Sequence, residues 1–253
     1  MNRIVLITGA TSGIGAASAR EFAASGDHII ITGRREKRLA ELKLNLEREF
    51  QIKVLPLVFD VQKRDEVSDA IHSIPKNWQA IDILINNAGL ALGRDFFDQA
   101  NLDDWDTMLN TNVHGLLYVS KAIIPFMIKH KSGHIINIGS VAGKEIYEKG
   151  NVYCASKAAV EAISHSMRID LLKHHIKVTA IHPGAVKTEF GIVRFKGDAE
   201  TAEKVYDGFT PLNSTEVASV IKYCADLPPN VCINDLVLTC TSQADAIYFN
   251  KDK

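Results

Sequence analysis

The run Arg3-Ile4-Val5-Leu6-Ile7-Thr8-Gly9-Ala10-Thr11-Ser12-Gly13-Ile14-Gly15 decides the fold. Arg3 to Ile7 is short and apolar, as a buried strand is, and Ala16 to Ser25 carry apolar residues at helical spacing. A strand, a glycine-rich turn and a helix start are the parts of a phosphate cradle. Gly9 turns the chain tightly, Gly13 lets backbone approach a pyrophosphate, and Gly15 lets the helix pack closely on the strand. The helix N-terminus then faces the anion. Thr11, Ser12 and Ile14 share the turn and are expected cofactor contacts. Turns also use glycine simply for its φ freedom, so the flanking strand and helix carry the reading.

Outward from that turn, His28 to Thr32 reads as a second buried strand ending at Gly33-Arg34-Arg35. An acid at this strand end would bind the 2′-hydroxyl of an adenosine ribose, and arginine accommodates a 2′-phosphate. Gly33 stands in the acid's place, so Arg34 and Arg35 point to NADP, unless they are only the solvated start of the next helix. Ile52 to Val58 is a third strand closed by Asp60-Val61, and a helix follows over Lys63 to Ile74. Ile81 to Ile85 is a fourth, ending in Asn86-Asn87-Ala88-Gly89, whose amides suit backbone pinning beside a cofactor. Further strands are expected at His134 to Ile138, Lys177 to Ile181 and Asp235 to Thr239. Alternation with helices predicts a parallel, doubly wound sheet with its ligand at the strand carboxyl ends.

The second half carries the chemistry. Tyr153 and Lys157 lie four residues apart at a helix start, which stacks them on one face. A phenol titrates near pH 10, and a neighbouring cation favours its phenolate, so Lys157 is placed to lower the Tyr153 pKa. The bland alternative is a buried ring beside a snorkelling lysine. Ser140 arrives at the end of the fifth strand, and Asn112 precedes a long apolar helix from Val113 in which Pro125 predicts a kink. Ser140 as a turn residue and Asn112 as a helix cap are the competing readings. Pro183-Gly184, Val186 and Thr188 follow the sixth strand. Phe190 to Pro211 lacks a strand pattern and reads as a substrate lid, with Arg194 and, less suitably, Lys196 as candidates to hold an acid group. Asn213 or Ser214 caps a helix with Val217, Val220, Ile221 and Cys224 inward, and the tail Ser242 to Lys253 is expected to pack on another subunit.

Charge and composition exclude some functions. With 29 basic and 30 acidic residues in 253, no overall field draws the chain to nucleic acid or an anionic membrane. No apolar run is long enough to cross a membrane, and Met1 leads directly into a strand, which predicts a soluble, cytoplasmic protein. Cys154, Cys224, Cys232 and Cys240 show no metal-ligand spacing, so buried free thiols and no metal site are expected.

Taken together, Thr8 to Gly15, Asp60, Asn86 to Gly89, Asn112, Ser140, Tyr153, Lys157, Pro183-Gly184 and Thr188 resemble the short-chain dehydrogenase/reductase family over nearly the whole chain. The resemblance implies one domain over residues 1–253, a Rossmann fold with a seven-stranded parallel sheet and helices on both faces. It is strongest toward NADP-dependent 3-hydroxy acid dehydrogenases of the serine and allo-threonine type. It also implies a tetrad: Tyr153 exchanges a proton with the substrate oxygen, Ser140 holds that oxygen, Lys157 binds the nicotinamide ribose, and Asn112 holds a water. A homotetramer is implied as well, with Ala155, Ala159, Ala162 and Ser166 on a small-residue helix face that permits close packing. A family member for a larger ketone, sugar or acyl thioester, or a non-catalytic NADP sensor, would share the fold.

Overall fold

The computed structural model describes residues 2–252. Seven strands form one parallel sheet in the order β3-β2-β1-β4-β5-β6-β7. They are β1 (Ile4–Ile7), β2 (His28–Gly33), β3 (Val54–Val58), β4 (Ile81–Asn86), β5 (Gly133–Ile138), β6 (Ile176–Pro183) and β7 (Asp235–Leu238). The chain starts in the middle, steps outward to β3, then returns to β4 on the other side of β1 and continues to β7. The reversal between β1 and β4 opens a crevice at the strand carboxyl ends, where α/β sheets bind ligands.

Period-two alternation assigns each strand residue to one of two cores. Val5 and Ile7 face the layer of α1 (Gly13–Ala24), α2 (Glu36–Phe50) and α9 (Ser214–Asp226), built around Phe22, Leu39, Val217 and Ile221. Ile4 and Leu6 face the opposite layer, where α3 (Arg64–His72) contributes Val67 and Ile71, and α5 (Leu116–His130) contributes Val119, Ile123 and Met127. Both faces are therefore covered, which is why the central strands are apolar throughout.

Two helix starts need correction, and other segments gain detail. Helix α1 starts at Gly13, not Ala16, so the last two glycines lie in its first turn. The long helix begins well before Val113: α4 (Leu102–Leu109) runs through a π-helical segment (Asn110–Gly115) into α5. Helix α4 buries only Met108, leaving no apolar stripe to read. Pro125 lies inside α5 without ending it, on the exposed side. The segment expected as a lid holds two short helices, α7 (Glu189–Arg194) and α8 (Ala199–Lys204). The tail folds back on the segment before α9: Phe249 meets Phe209 at 4.8 Å between ring centroids, and Asp252 N donates to Gly208 O at 2.7 Å. Lys253 lies outside the described residues. No described helix is long and apolar enough to cross a membrane.

Candidate active site

At the carboxyl ends of β1, β4, β5 and β6 opens a cavity of about 1010 Å³, large enough for a dinucleotide with a small second molecule. Its first half is the glycine turn. Thr8 Oγ1 accepts from the backbone N–H of Asn87 at 3.0 Å and Ala88 at 2.9 Å, while Asn87 Nδ2 donates to Thr8 O at 2.9 Å. Gly9 has φ 65°, and a Cβ on Gly15 would overlap the Gly9 carbonyl oxygen. Gly15 is thus a packing glycine behind the wall, whereas Gly9, Thr11, Ser12, Gly13 and Ile14 line it.

Ser12 is the N-cap residue of α1 yet makes no side-chain cap. Its hydroxyl instead accepts from Arg35 Nη2 at 2.8 Å, and Thr11 Oγ1 accepts from the same guanidinium at 2.7 and 2.9 Å. The uncapped first turn of α1 leaves backbone donors beside the cavity. Arg35 Nη1 also meets Glu189 Oε2 at 2.9 Å, and Arg38 Nη1 meets Glu189 Oε1 at 2.8 Å. The two guanidiniums hold the Glu189 carboxyl below the usual carboxylate range. Arg34, by contrast, is largely exposed and lies 3.4 Å from Asp60. Both arginines line the cavity with Asp60, Val61, Asn87, Ala88 and Gly89.

The other half gathers around α6 (Asn151–Asp170). Tyr153 and Lys157 are both buried on the face turned to the cavity. Lys157 Nζ donates to the Ile138 carbonyl at the end of β5, 2.9 Å away, and burial lowers its pKa to about 8. Burial pushes the Tyr153 phenol above the ordinary tyrosine range, and neighbouring Tyr147 adds to this. The Ser140 side-chain hydrogen bond and the Arg194 charge act in the opposite direction. Desolvation dominates at Tyr153, and among the neighbouring cations Arg194 has the largest downward effect.

Ser140 caps a short turn, its Oγ accepting from Ala142 N at 3.1 Å, and its side chain faces Tyr153. Asn112 lies in the π segment, off the cavity wall. Its Oδ1 accepts from Leu90 N at 2.8 Å, and its Nδ2 donates to Leu90 O at 2.8 Å and to Ser156 Oγ at 3.0 Å. A Cβ on Gly89 would lie 3.2 Å from Asn112 Oδ1 and 3.4 Å from Lys157 Nζ, so this glycine leaves the two side chains room to approach. Pro183, Gly184, Val186 and Thr188 complete the wall, with Thr188 capping α7 through Phe190 N at 3.1 Å.

Arg194, at the end of α7, is brought over the chemistry: its Cζ lies 5.6 Å from the Tyr153 ring centroid and 5.7 Å from that of Tyr147. Lys196 is not on the wall; it pairs with Asp104 at 2.8 Å. Tyr147 and Glu189 line the cavity and were missed by the sequence reading, and Arg38 reaches it only through Glu189. Tyr147 and Glu189 lie outside any periodic pattern, and Arg38 reads as one more exposed charge at the start of α2.

The chain belongs to the short-chain dehydrogenase family, whose pattern it matches over residues 3–198. It is 44% identical over 244 residues to the NADP-dependent 3-hydroxy acid dehydrogenase YdfG of Salmonella typhi, covering 96% of this chain and 97% of that one. Sulfoacetaldehyde reductase 2 of Chromohalobacter salexigens is 42% identical, with 96% of each chain covered. The closed form of a serine dehydrogenase complexed with NADP+ superimposes with a TM-score of 0.91 at 43% identity, over 99% of this chain and all of that one.

Proposed function

We propose that this chain is an NADP-dependent oxidoreductase that interconverts small 3-hydroxy acids, of the serine, allo-threonine or 3-hydroxyisobutyrate type, and their carbonyl forms. The relatives' activities support the reaction class. The observation that carries the substrate class is Arg194, a guanidinium stacked over the Tyr153 ring in the same cavity. A small hydroxy acid has little apolar area, so its carboxylate must supply most of its orientation, and a planar guanidinium suits that group.

The residues present fit the cofactor. The uncapped start of α1 suits a pyrophosphate, and Arg35, braced by Thr11 and Ser12, suits a 2′-phosphate, with Arg34 beside it. NADP supplies the hydride donor and acceptor. The chain's own groups handle the proton: Tyr153 gives it to, or takes it from, the substrate oxygen, and Ser140 holds that oxygen. Lys157 is the cationic donor for the ribose, and Asn112 acts from behind the wall as a support for this corner. A phenol kept protonated by burial is the form needed to deliver a proton during carbonyl reduction.

We read residues 190–211 as the substrate lid and the outer faces of α5 and α6 as a self-association surface, in a homotetramer. Leu117 of α5 and Ile169, Ala155, Ala162 and Ser166 of α6 are exposed, Ala159 is half-buried, and Leu172 is exposed just beyond α6. Four unpaired cysteines fit a reducing compartment such as the cytoplasm.

The test compares kcat/KM of the unmutated protein and Arg194→Ala on 3-hydroxyisobutyrate and on an uncharged secondary alcohol. The acid is expected to be preferred, and Arg194→Ala to lose that preference by about ten- to a hundred-fold. An unmutated protein that prefers the uncharged alcohol would refute the substrate class.

A further inference from the structure

Arg194 does not stand alone at its end of the cavity. Its Nε donates to the Gly93 carbonyl at 3.3 Å and its Nη1 donates to the Tyr147 hydroxyl at 3.0 Å. Gly93 N returns a bond to the Arg194 carbonyl at 2.9 Å, so the arginine is tied through both backbone and side chain. Two consequences follow from donor and acceptor counting. Arg194 Nη2 has no protein partner among the described residues, and the Tyr147 oxygen, already accepting from Nη1, must direct its own hydrogen elsewhere. Among the described residues no acceptor takes that hydrogen. Tyr147, Arg194 and Tyr153 all border the cavity.

We propose that Tyr147 is a specificity-determining residue whose hydroxyl is the second donor of a two-point seat for the oxyanion of the substrate, Arg194 being the first. This rests on the 3-hydroxy acid reading above. The seat works because the two donors are ordered with respect to each other before substrate arrives. Arg194 turns the Tyr147 oxygen into an acceptor on one side, which frees its O–H for an anion on the other. A carboxylate has lone pairs for both, so one oxygen can face the guanidinium and its neighbour the phenol. An uncharged alcohol offers neither. Burial raises the Tyr147 pKa, which keeps the phenol a neutral donor across the working pH range. The guanidinium stacked against both rings sets the anion close to Tyr153, so the hydroxyl two carbons further along falls to the proton carrier. A sulfonate presents the same chemistry with three oxygens.

The experiment is Tyr147→Phe, which keeps the ring and removes only the hydroxyl. The variant is assayed on 3-hydroxypropionate, 2-hydroxyethanesulfonate and 2-butanol, alone and in an Arg194→Met background. The unmutated enzyme's ranking of the two acids shows which anion the seat takes. On the preferred acid, Tyr147→Phe should lower the acid-to-alcohol ratio of kcat/KM by about ten- to a hundred-fold, chiefly through KM. Part of that loss must persist in the Arg194→Met background, because the phenol donates in its own right. An unchanged ratio would overturn the proposal. So would a loss that disappears in the Arg194→Met background, since Tyr147 would then only brace the arginine. If the unmutated enzyme prefers 2-butanol to both acids, the 3-hydroxy acid reading fails first and the seat with it.

Discussion

Tyr153 sits in surroundings that hold its proton on, and this sets the direction in which pH should act. Oxidation of a hydroxy acid needs the phenolate and should gain kcat/KM steadily as pH rises above neutrality. Reduction needs the phenol and should hold level through neutral pH. A pair of pH profiles checks this, and parallel profiles would remove Tyr153 as the proton carrier. Tyr153→Phe keeps the ring, so NADP binding should survive while turnover falls by about 10² to 10⁴; near-full activity at saturating substrate would contradict the role. For the cofactor, Arg35 is tied to Thr11 and Ser12 and Arg34 is mostly exposed. Either Arg35→Ala or Arg34→Ala should reduce the NADP-to-NAD preference, and Arg35→Ala should do so more, by about ten- to a hundred-fold. Measured kcat/KM for both cofactors decides, and equal use of NAD and NADP by the unmutated enzyme would sink the assignment.

Among the elements, β5 is buried at all six positions and carries His134, whose Nε2 meets Thr179 Oγ1 at 2.8 Å. Burial lowers the His134 pKa to about 3, so the folded state keeps the ring neutral where the unfolded chain, near 6.5, protonates it. The unfolded state then binds more protons as pH falls from 6.5 toward 3, and stability drops over that window, by on the order of 5 kcal/mol at most. Thermal midpoints between pH 7 and pH 4 should fall less steeply in His134→Gln than in the unmutated protein; parallel slopes would clear His134. At α9, the Asn213 side chain accepts from Thr215 N and Glu216 N while the Glu216 carboxylate accepts from Asn213 N, a complete capping box. Such an element was legible because its signal is local: a capping asparagine, an acid three residues on and an apolar stripe. The seven strands and the Tyr153-Lys157 pair were legible for the same reason. Helix α4 was not, because its one buried residue leaves no period. Side-chain chemistry alone ranks Arg194 above Lys196, but where each would point was not legible, since that depends on partners distant in sequence, Tyr147 and Gly93 for one and Asp104 for the other.

For the whole molecule, exposed Leu117 on α5, Ile169 at the end of α6 and Leu172 just beyond it should bring copies together, and light scattering at micromolar concentration is expected to show a tetramer. A monomer alone would leave those faces without an explanation. The helical run from Leu102 to His130 is also a measuring device. Its π segment holds one residue more per turn than an α-helix would, and that surplus brings Asn112 to Leu90 and Ser156. Deleting a single residue between Asn110 and Gly115 would let the run relax to plain α-helix and rotate everything on one side by about 100° against the other. Either the packing of α5 on the sheet or that of α4 would have to give way. A deletion in an exposed loop can be absorbed locally, but one in this stretch cannot. Its residue count is a reading frame for the active site, kept by geometry and not by any one side chain.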